Sequence, residues 1–410
     1  MIAILATLDT KAGEAQALAG HVAALGHEPH VIDVGLEPDH PAADTPARLV
    51  VAAAAAREPA TAAEGGVAAL RTGGDRAEAM ATMGRGAAAV LADLAPDGVL
   101  AVGGNQGTAI AALAVRALPV GVPKVIVSTV ASGDVRPYVG DLDVTMMFSV
   151  GDLLGGPNPV TAPLLAQAAA AVCGMAAVRG ERPAAAVGLT AFGNTHRACV
   201  RVLETLRAHG HAVVPFHASG ACGSAMERLI DAGRIAAVAD LTTHELLGEL
   251  YPEDAYAPVR PGRLTAAGRA GIPQVIVPGG LEYFCFGPPE SIPARLRERP
   301  THHHNPYNTN VRTSAEELAR VGALMAERLN AARGPAAVLV PARGWSEVGA
   351  PGGALHDPAA NQALVDALER DLRPHVELRV LDHAVNDEPF ADAVAGALLA
   401  HLGDRVATPA

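Results

Sequence analysis

Aromatic side chains are scarce in this chain, at only 3% of 410 residues, with a single Trp. Its cores must therefore be built from Ala, Val, Leu and Ile. Such cores suit helices packed closely on a parallel sheet, where small side chains let backbones approach. Cysteine is also sparse. Cys173, Cys199, Cys222 and Cys285 are scattered and form no C-x-x-C pair, which argues against a disulfide framework and for reduced thiols. No run of Lys or Arg occurs and the formal net charge is -12. A nucleic-acid binder normally shows a basic face, so no nucleic-acid partner is expected. A local anion site stays open, because backbone N–H groups bind phosphate without basic side chains. No apolar run reaches the about 18 residues of a membrane span, so no membrane partner is expected. The opening MIAILATLDTKAGE lacks a basic n-region and is interrupted by Asp9 and Lys11. It reads as strand–turn–helix, not as a signal peptide, and a cytoplasmic location is the expectation.

What is present is alternation. The chain is too long for one comfortable core, so two domains are expected. Short β-branched runs at 2–7, 30–34, 98–102 and 124–129 read as strands. Helices are predicted over 11–25, 75–94 and 107–117. Residues 35–74, rich in Ala, Pro and Gly, read as an irregular excursion. The second half repeats the theme, with strands at 184–190, 212–217, 236–241, 274–278, 336–340 and 377–381. Its helices fall at 195–208, 223–232, 315–332, 361–370 and 387–401. Alternation of this kind implies parallel strands with right-handed crossovers. LGHEPHVID at 25–33 parallels HGHAVVPFH at 209–217, and GVPKVIVSTVASGD at 121–134 parallels GIPQVIVPGGLEY at 271–283. The expected fold is α/β: two Rossmann-like doubly wound parallel-sheet domains related as a diverged repeat. The 35–74 excursion is the net insertion in the first copy. A boundary near 175–183 divides the chain into 1–180 and 181–410.

In an open parallel sheet, ligands bind beyond the carboxyl ends of the strands, and that rule selects the loops to read. In VGGNQGTAIAALAV, residues 102–115, a strand runs into Gly103, Gly104, Asn105, Gln106, Gly107 and Thr108 and then straight into a helix. Glycines let consecutive N–H groups turn toward an anion, Thr108 adds a hydroxyl, and the helix N-terminus adds its positive end. The loop is neither a Walker A nor a G-x-G-x-x-G motif, and a tight strand-to-helix turn would use the same residues. Asp9 and Thr10 follow the first strand. They suit a helix N-cap or a phosphate-binding hydroxyl with a carboxylate for Mg²⁺. Ser128, Ser132, Gly133 and Asp134 form a crowded polar loop after another strand, which is also the composition of an ordinary β-turn cluster.

These segments carry a resemblance. MIAILATLDTKAGE, LRTGGDRAEAMATMGRGAAAVL and the Gly-rich loop are similar to the Tm-1-like (UPF0261) ATP-binding family. So are PVGVPKVIVSTVASGDVRPYVGDLDVTMMFSV at 119–150, IPQVIVPGGLEYFCFGPPESIP at 272–293, HNPYNTNVRTSAEE at 304–317 and GAPGGALHDPAANQALVDAL at 349–368. The likeness spans nearly the whole chain. It implies ATP, with Mg²⁺, on the first domain at Asp9, Thr10, the loop from Gly103 to Thr108, Ser128, Ser132, Gly133 and Asp134. In plant members the module is fused to a TIM-barrel domain and linked to inhibition of a viral replication protein, which implies a non-catalytic interaction module as a further possibility. One departure stands out: Asn105 and Gln106 replace the Ser-Gly usual in that loop, and the Gln106 Cβ holds its peptide further from a phosphate.

The second half presents Asn194, Thr195, His196, His217, Thr243, His244, Glu245, Glu282, His302, His303, His304 and Arg343 at or near strand ends. The alternative reading is an enzyme, a hydrolase or C–C lyase for a small carboxylate or keto substrate in an interdomain cleft. Its candidates are His217, His244, Glu245, Glu282, His304 and Arg343, with a His–carboxylate pair as general base and Arg343 as a carboxylate clamp. No compact metal motif is present: there is no H-E-x-x-H, and adjacent His303 and His304 do not easily share one ion. The histidine run reads as a solvated loop before a helix capped by Ser314 with Glu317. Trp345 is expected to pack at a domain seam, and Cys285 to be buried. A homo-oligomer is expected, with 35–74 or Met146, Met147 and Phe148 as contact surface.

Overall fold

The computed structural model describes residues 1–37, 39–58, 66–178 and 185–403. The chain divides into two compact units, Met1–Glu181 and Arg182–Ala410. In the first unit the elements run β1 (Ile2–Ala6), α1 (Leu8–Ala24), β2 (Pro29–Asp33), α2 (Ala47–Arg57), α3 (Gly66–Thr72), α4 (Arg76–Leu94), β3 (Gly98–Gly103), α5 (Asn105–Ala114), β4 (Lys124–Ser128), α6 (Arg136–Val139), β5 (Val144–Phe148) and α7 (Thr161–Ala177). The strands form one parallel sheet in the order β2-β1-β3-β4-β5. Successive side chains of a strand point to opposite faces. Ala3 and Leu5 of β1 accordingly join the core under α2, α4 and α5, while Ile2, Ile4 and Ala6 join the core under α1 and α7. Small residues let these layers close. Gly86 of α4 rests on the Val50 carbonyl of α2 with no room for a Cβ. The scarcity of aromatics is thus built into the helix packing.

The second unit runs β6 (Ala186–Ala191), α8 (His196–Ala208), β7 (Val213–His217), α9 (Ala221–Asp231), β8 (Ile235–Thr242), α10 (Glu245–Leu250), α11 (Ala266–Ala270), β9 (Gln274–Gly279), β10 (Tyr283–Phe286), β11 (Thr301–Asn305), β12 (Asn308–Arg312), α12 (Ala315–Asn330), β13 (Ala336–Pro341), α13 (Pro358–Asp371), β14 (Val376–Leu381) and α14 (Glu388–Leu402). Its six-stranded parallel sheet has the order β7-β6-β8-β9-β13-β14, and a separate antiparallel sheet has the order β10-β12-β11. Read from β7, the first five strands repeat the order of the first unit. The paired segments noted in the sequence occupy equivalent places: β2 and β7 flank the first strand, and β4 and β9 are fourth. Two Rossmann-like parallel sheets related as a diverged repeat are therefore what the chain forms.

Several local expectations hold. Ser314 caps α12 and its side chain accepts from the Glu317 amide, with Glu317 completing the capping box. Cys285 is buried. Others are corrected. The 35–74 stretch carries two helices, α2 and α3, because its Ala-rich runs are helix formers as well as small. Residues His302, His303 and His304 form strand β11 instead of a loop, paired with β12. The N-cap of α1 is Thr7, not Asp9 or Thr10. Trp345 belongs to the core of the second unit, among Leu246, Ile276 and Leu364. Strand β5 and helices α6 and α7 add to the elements expected from periodicity. Among the described residues no helix is long and apolar enough to cross a membrane.

Candidate functional site

In the first sheet the strand order reverses between β1 and β3, so the loops leaving these two strands diverge and leave a crevice between them. A cavity of about 560 Å³ lies at the ends of β1, β2 and β3. Its lining takes Thr7, Asp9, Thr10 and Lys11 from the β1 loop, Gly35 from the β2 loop, and Gly104, Asn105, Gln106 and Gly107 from the β3 loop. Six residues singled out by sequence, Asp9, Thr10, Gly104, Asn105, Gln106 and Gly107, are therefore brought together.

The glycine turn works through close approach. A Cβ on Gly103 would stand 2.8 Å from the Gly107 Cα and 2.9 Å from its carbonyl carbon. Only a bare strand end lets the first turn of α5 begin here. None of Gly103, Gly104 and Gly107 has positive φ, so backbone angles are not what requires glycine. The first amides of a helix have no intrahelical acceptor. The Thr108 amide bonds to Gly104 O at 2.9 Å, and no atom among the described residues accepts from the amides of Gly104, Asn105, Gln106 or Gly107.

The lining is mixed. Leu36, Leu70, Met80, Met83 and Ile110 are apolar, Lys11, Arg71 and Arg76 bring positive charge, and Asp9 and Glu37 negative charge. Arg71 is paired with Glu37 at 2.6 Å. Lys11 has no ion-pair partner among the described residues, and it departs from helical geometry inside α1, at φ -127° and ψ 21°. Arg76 meets the Gln106 side-chain oxygen at 3.2 and 3.3 Å once that amide is oriented to accept. Beneath the floor, Asp33 Oδ1 accepts from Leu8 N at 3.1 Å and Gly35 N at 2.9 Å and ties the β1 and β2 loops together. Burial pushes the Asp33 carboxyl above its ordinary range, against the lowering effect of those two amides.

The remaining residues expected here lie outside the lining. Thr108 is buried, its hydroxyl 2.7 Å from that of Ser128, which also accepts from Val130 N. Ser132 and Gly133 sit in an exposed turn. Asp134 is gripped by Arg136 at 2.9 and 2.8 Å, and that hydrogen bonding holds its carboxyl down at about 2. Tyr138 links this loop to the glycine turn by donating to Asn105 Oδ1 at 3.2 Å.

In the second unit, where the order reverses between β6 and β8, the strand ends are filled. Phe192 stacks on His244 with ring centroids 5.4 Å apart, and Tyr256, Tyr283 and His217 complete the cluster. His244 is fully buried, with Nδ1 2.7 Å from Gly280 O and Nε2 3.1 Å from Asp254 Oδ1. Both ring nitrogens face acceptors, so the imidazolium satisfies both. Burial opposes that charge, but Asp254 and Cys285 outweigh it and raise the His244 pKa well above the ordinary value. Glu245 is also buried. It accepts from Gly220 N at 2.6 Å and from Arg263 Nε at 2.5 Å. Arg263 holds Glu227 and Asp240 as well, at 2.8 and 2.9 Å. Glu282 accepts from Trp345 N, Ser346 Oγ and Asn361 Nδ2 at 2.9, 2.6 and 3.0 Å. Both glutamates are raised by burial and have their oxygens occupied by protein donors. Arg343 is exposed and forked onto Asp382 at 2.7 Å. His304 stands on exposed β11. Of the six candidates for acid–base chemistry, only His217 and His244 meet, around Phe192 and Tyr256.

Lys11, Arg71, Arg76, Met80 and Met83 join the lining without having stood out in the sequence. Lys11 was within reach, one residue past Thr10, and Arg76 comes after the Gly73-Gly74-Asp75 turn that opens α4. The contribution of α4 to a cavity at the ends of β1 and β3 is a long-range contact without local signature. The Arg263 network escapes a sequence reading for the same reason.

Comparison with known proteins adds to this geometry. The model of the N-terminal domain of the uncharacterised protein family UPF0261 matches residues 1–181, and that of its C-terminal domain matches residues 184–402. A UPF0261 protein of Clostridium tetani is 37% identical over 411 residues, covering 97% of this chain and 98% of that protein. A UPF0261 protein of Rhizobium meliloti is 39% identical over 403 residues, with the same coverage. The ToMV resistance protein Tm-1(GCR237) of Solanum lycopersicum is 36% identical over 312 residues, 74% of this chain and 41% of that protein.

Proposed function

The chain belongs to the UPF0261 family, and from that premise we propose that its first unit binds a nucleotide, ATP with Mg²⁺. The observation that carries this reading is the set of helix-start amides at Asn105, Gln106 and Gly107, without acceptors among the described residues, on the lining of a 560 Å³ cavity. A phosphate group supplies the missing acceptors and meets the positive end of α5. Lys11 and Arg76 add charge-assisted hydrogen bonds, and Asp9 offers a carboxylate oxygen for Mg²⁺. Apolar Leu36, Leu70, Met80 and Met83 of the lining suit a heterocyclic base, in keeping with the mixed lining of small-ligand sites.

Titration calorimetry with Mg-ATP tests the proposal directly. Heat with one site per chain, and clearly weaker binding in Lys11→Met, is the expected result. Absence of heat at millimolar nucleotide with folded protein removes the reading. No specific observation favours the hydrolase or lyase alternative, because Glu245 and Glu282 are occupied inside the second unit. Self-association through the β5 edge, where Phe148, Val150 and Leu154 are exposed, is checked by light scattering, with a mass of one chain as the contrary outcome.

A further inference from the structure

Strand β11 is an edge strand, and its central sequence is His302-His303-His304. Alternate residues of a strand share a face. His302 pairs with Asn310 and His303 with Thr309, on opposite faces of the ladder; the ladder is irregular at His304, and its ring lies with its centroid 6.3 Å from that of His302. The difficulty of seating one ion between adjacent histidines does not apply to alternate ones. Neither His302 nor His304 has a hydrogen-bond or ion-pair partner among the described residues. A second observation comes from the neighbouring strand. Asn310 stands directly across the ladder from His302 and is 2% exposed. Its Nδ2 donates to Cys285 Sγ at 3.2 Å on β10, the strand on the far side. Its Oδ1 is buried and has no partner among the described residues. A buried carbonyl oxygen without a donor calls for one from a water or a ligand.

We propose that His302 and His304 form a two-imidazole site for a divalent transition metal of the zinc and nickel class on β11, with Asn310 Oδ1 accepting from a water on the bound ion. Imidazole nitrogens suit such ions, and carboxylate-seeking Mg²⁺ and Ca²⁺ are excluded by the ligand set. Two protein ligands leave the remaining positions to water, which makes the site an open one. The second imidazole acts through its effective concentration beside the first. The site belongs to the second unit and does not depend on the nucleotide reading.

The sequence supplies its own control in His303, exposed like His304 but on the face opposite His302. Titration calorimetry of the full chain with Zn²⁺ is run on the natural protein and on His302→Ala, His304→Ala and His303→Ala. The natural protein and His303→Ala are expected to bind one ion with equal, micromolar affinity, and His302→Ala and His304→Ala to bind at least about tenfold more weakly. Thermal unfolding supplies the second measure. Zn²⁺ raises the midpoint of the natural protein and of His303→Ala equally, and that of the other two clearly less. Equal loss in all three variants, or no binding tighter than millimolar in the natural protein, overturns the proposal.

Discussion

In the first unit the strands at which the sheet order reverses, β1 and β3, end beside an open cavity; in the second, β6 and β8 end beneath a plug of rings and buried charge. The strand order and the parallel pairing are the same over five strands. The difference lies in the residues that leave the third strand of each sheet. β3 ends in Gly103 and is followed by Gly104, which place no side chain over the crevice. After β8 come Thr243, His244 and Glu245, whose side chains turn inward and are satisfied by Val277 O, Gly280 O, Asp254, Gly220 N and Arg263. One copy of the repeat leaves its helix-start amides without acceptors among the described residues. The other uses the same position to bind itself together.

The sharpest way to break this contrast is Arg263→Met. It strands Glu227, Asp240 and Glu245 without their shared cation, and breaking a buried ion pair from one side costs about 3–5 kcal/mol. Urea unfolding should show that loss in the second unit, while Mg-ATP calorimetry stays unchanged. A loss under about 1 kcal/mol would mean that the network does not hold the plug. The His244–Asp254 pair sharpens the contrast through pH. The folded His244 pKa is raised, so its stabilising contribution is fully present below the ordinary imidazole pKa of about 6.5. It is lost as pH rises through the raised folded value. A proton NMR titration should find His244 still protonated at pH values where an ordinary imidazole is neutral, and Asp254→Asn should remove both the shift and this pH dependence.

Smaller effects belong to the first unit. Gly103→Ala brings a methyl to 2.8 Å from Gly107 Cα, and overpacking of that kind costs about 1–3 kcal/mol. Because the strand end and the first turn of α5 must separate, Mg-ATP affinity should fall at least as clearly as the thermal midpoint. Affinity unchanged in a folded Gly103→Ala protein would detach the glycine turn from ligand binding. Lys11→Met should leave stability alone and weaken Mg-ATP by about ten- to a hundredfold, the worth of a hydrogen bond to a charged group. Asp134→Ala, outside the cavity and already paired with Arg136, should leave nucleotide affinity within about twofold.

Much of the fold was legible along the chain because its signals are local. Runs such as Val125, Ile126 and Val127 mark buried parallel strands, and Ser314 with Glu317 marks the start of α12. Two loops of the cavity were legible for the same reason, since Asp9, Thr10 and the glycine turn each come directly after a strand. Misreadings arose where one composition serves two structures. Ala-rich residues within 35–74 look like a loop insertion yet form α2, and three histidines look like solvated coil yet pair with β12. The surroundings of the second unit's acids were not legible, because a strand-end glutamate reads alike whether it faces water or an arginine, as Glu245 does.

The sequence by itself determined the alternation, the two-fold repetition and the bare turn after β3, because side-chain periodicity and the absence of a Cβ act over a few residues. Only the tertiary structure decided which strand end stays open. That outcome depends on α4 bringing Arg76 and Met83 to the first crevice, and on Arg263 and Asp254 reaching Glu245 and His244 in the second. Burial and charge pairing between residues far apart in the chain have no local signature, since their free energy exists only once the distant partners have met.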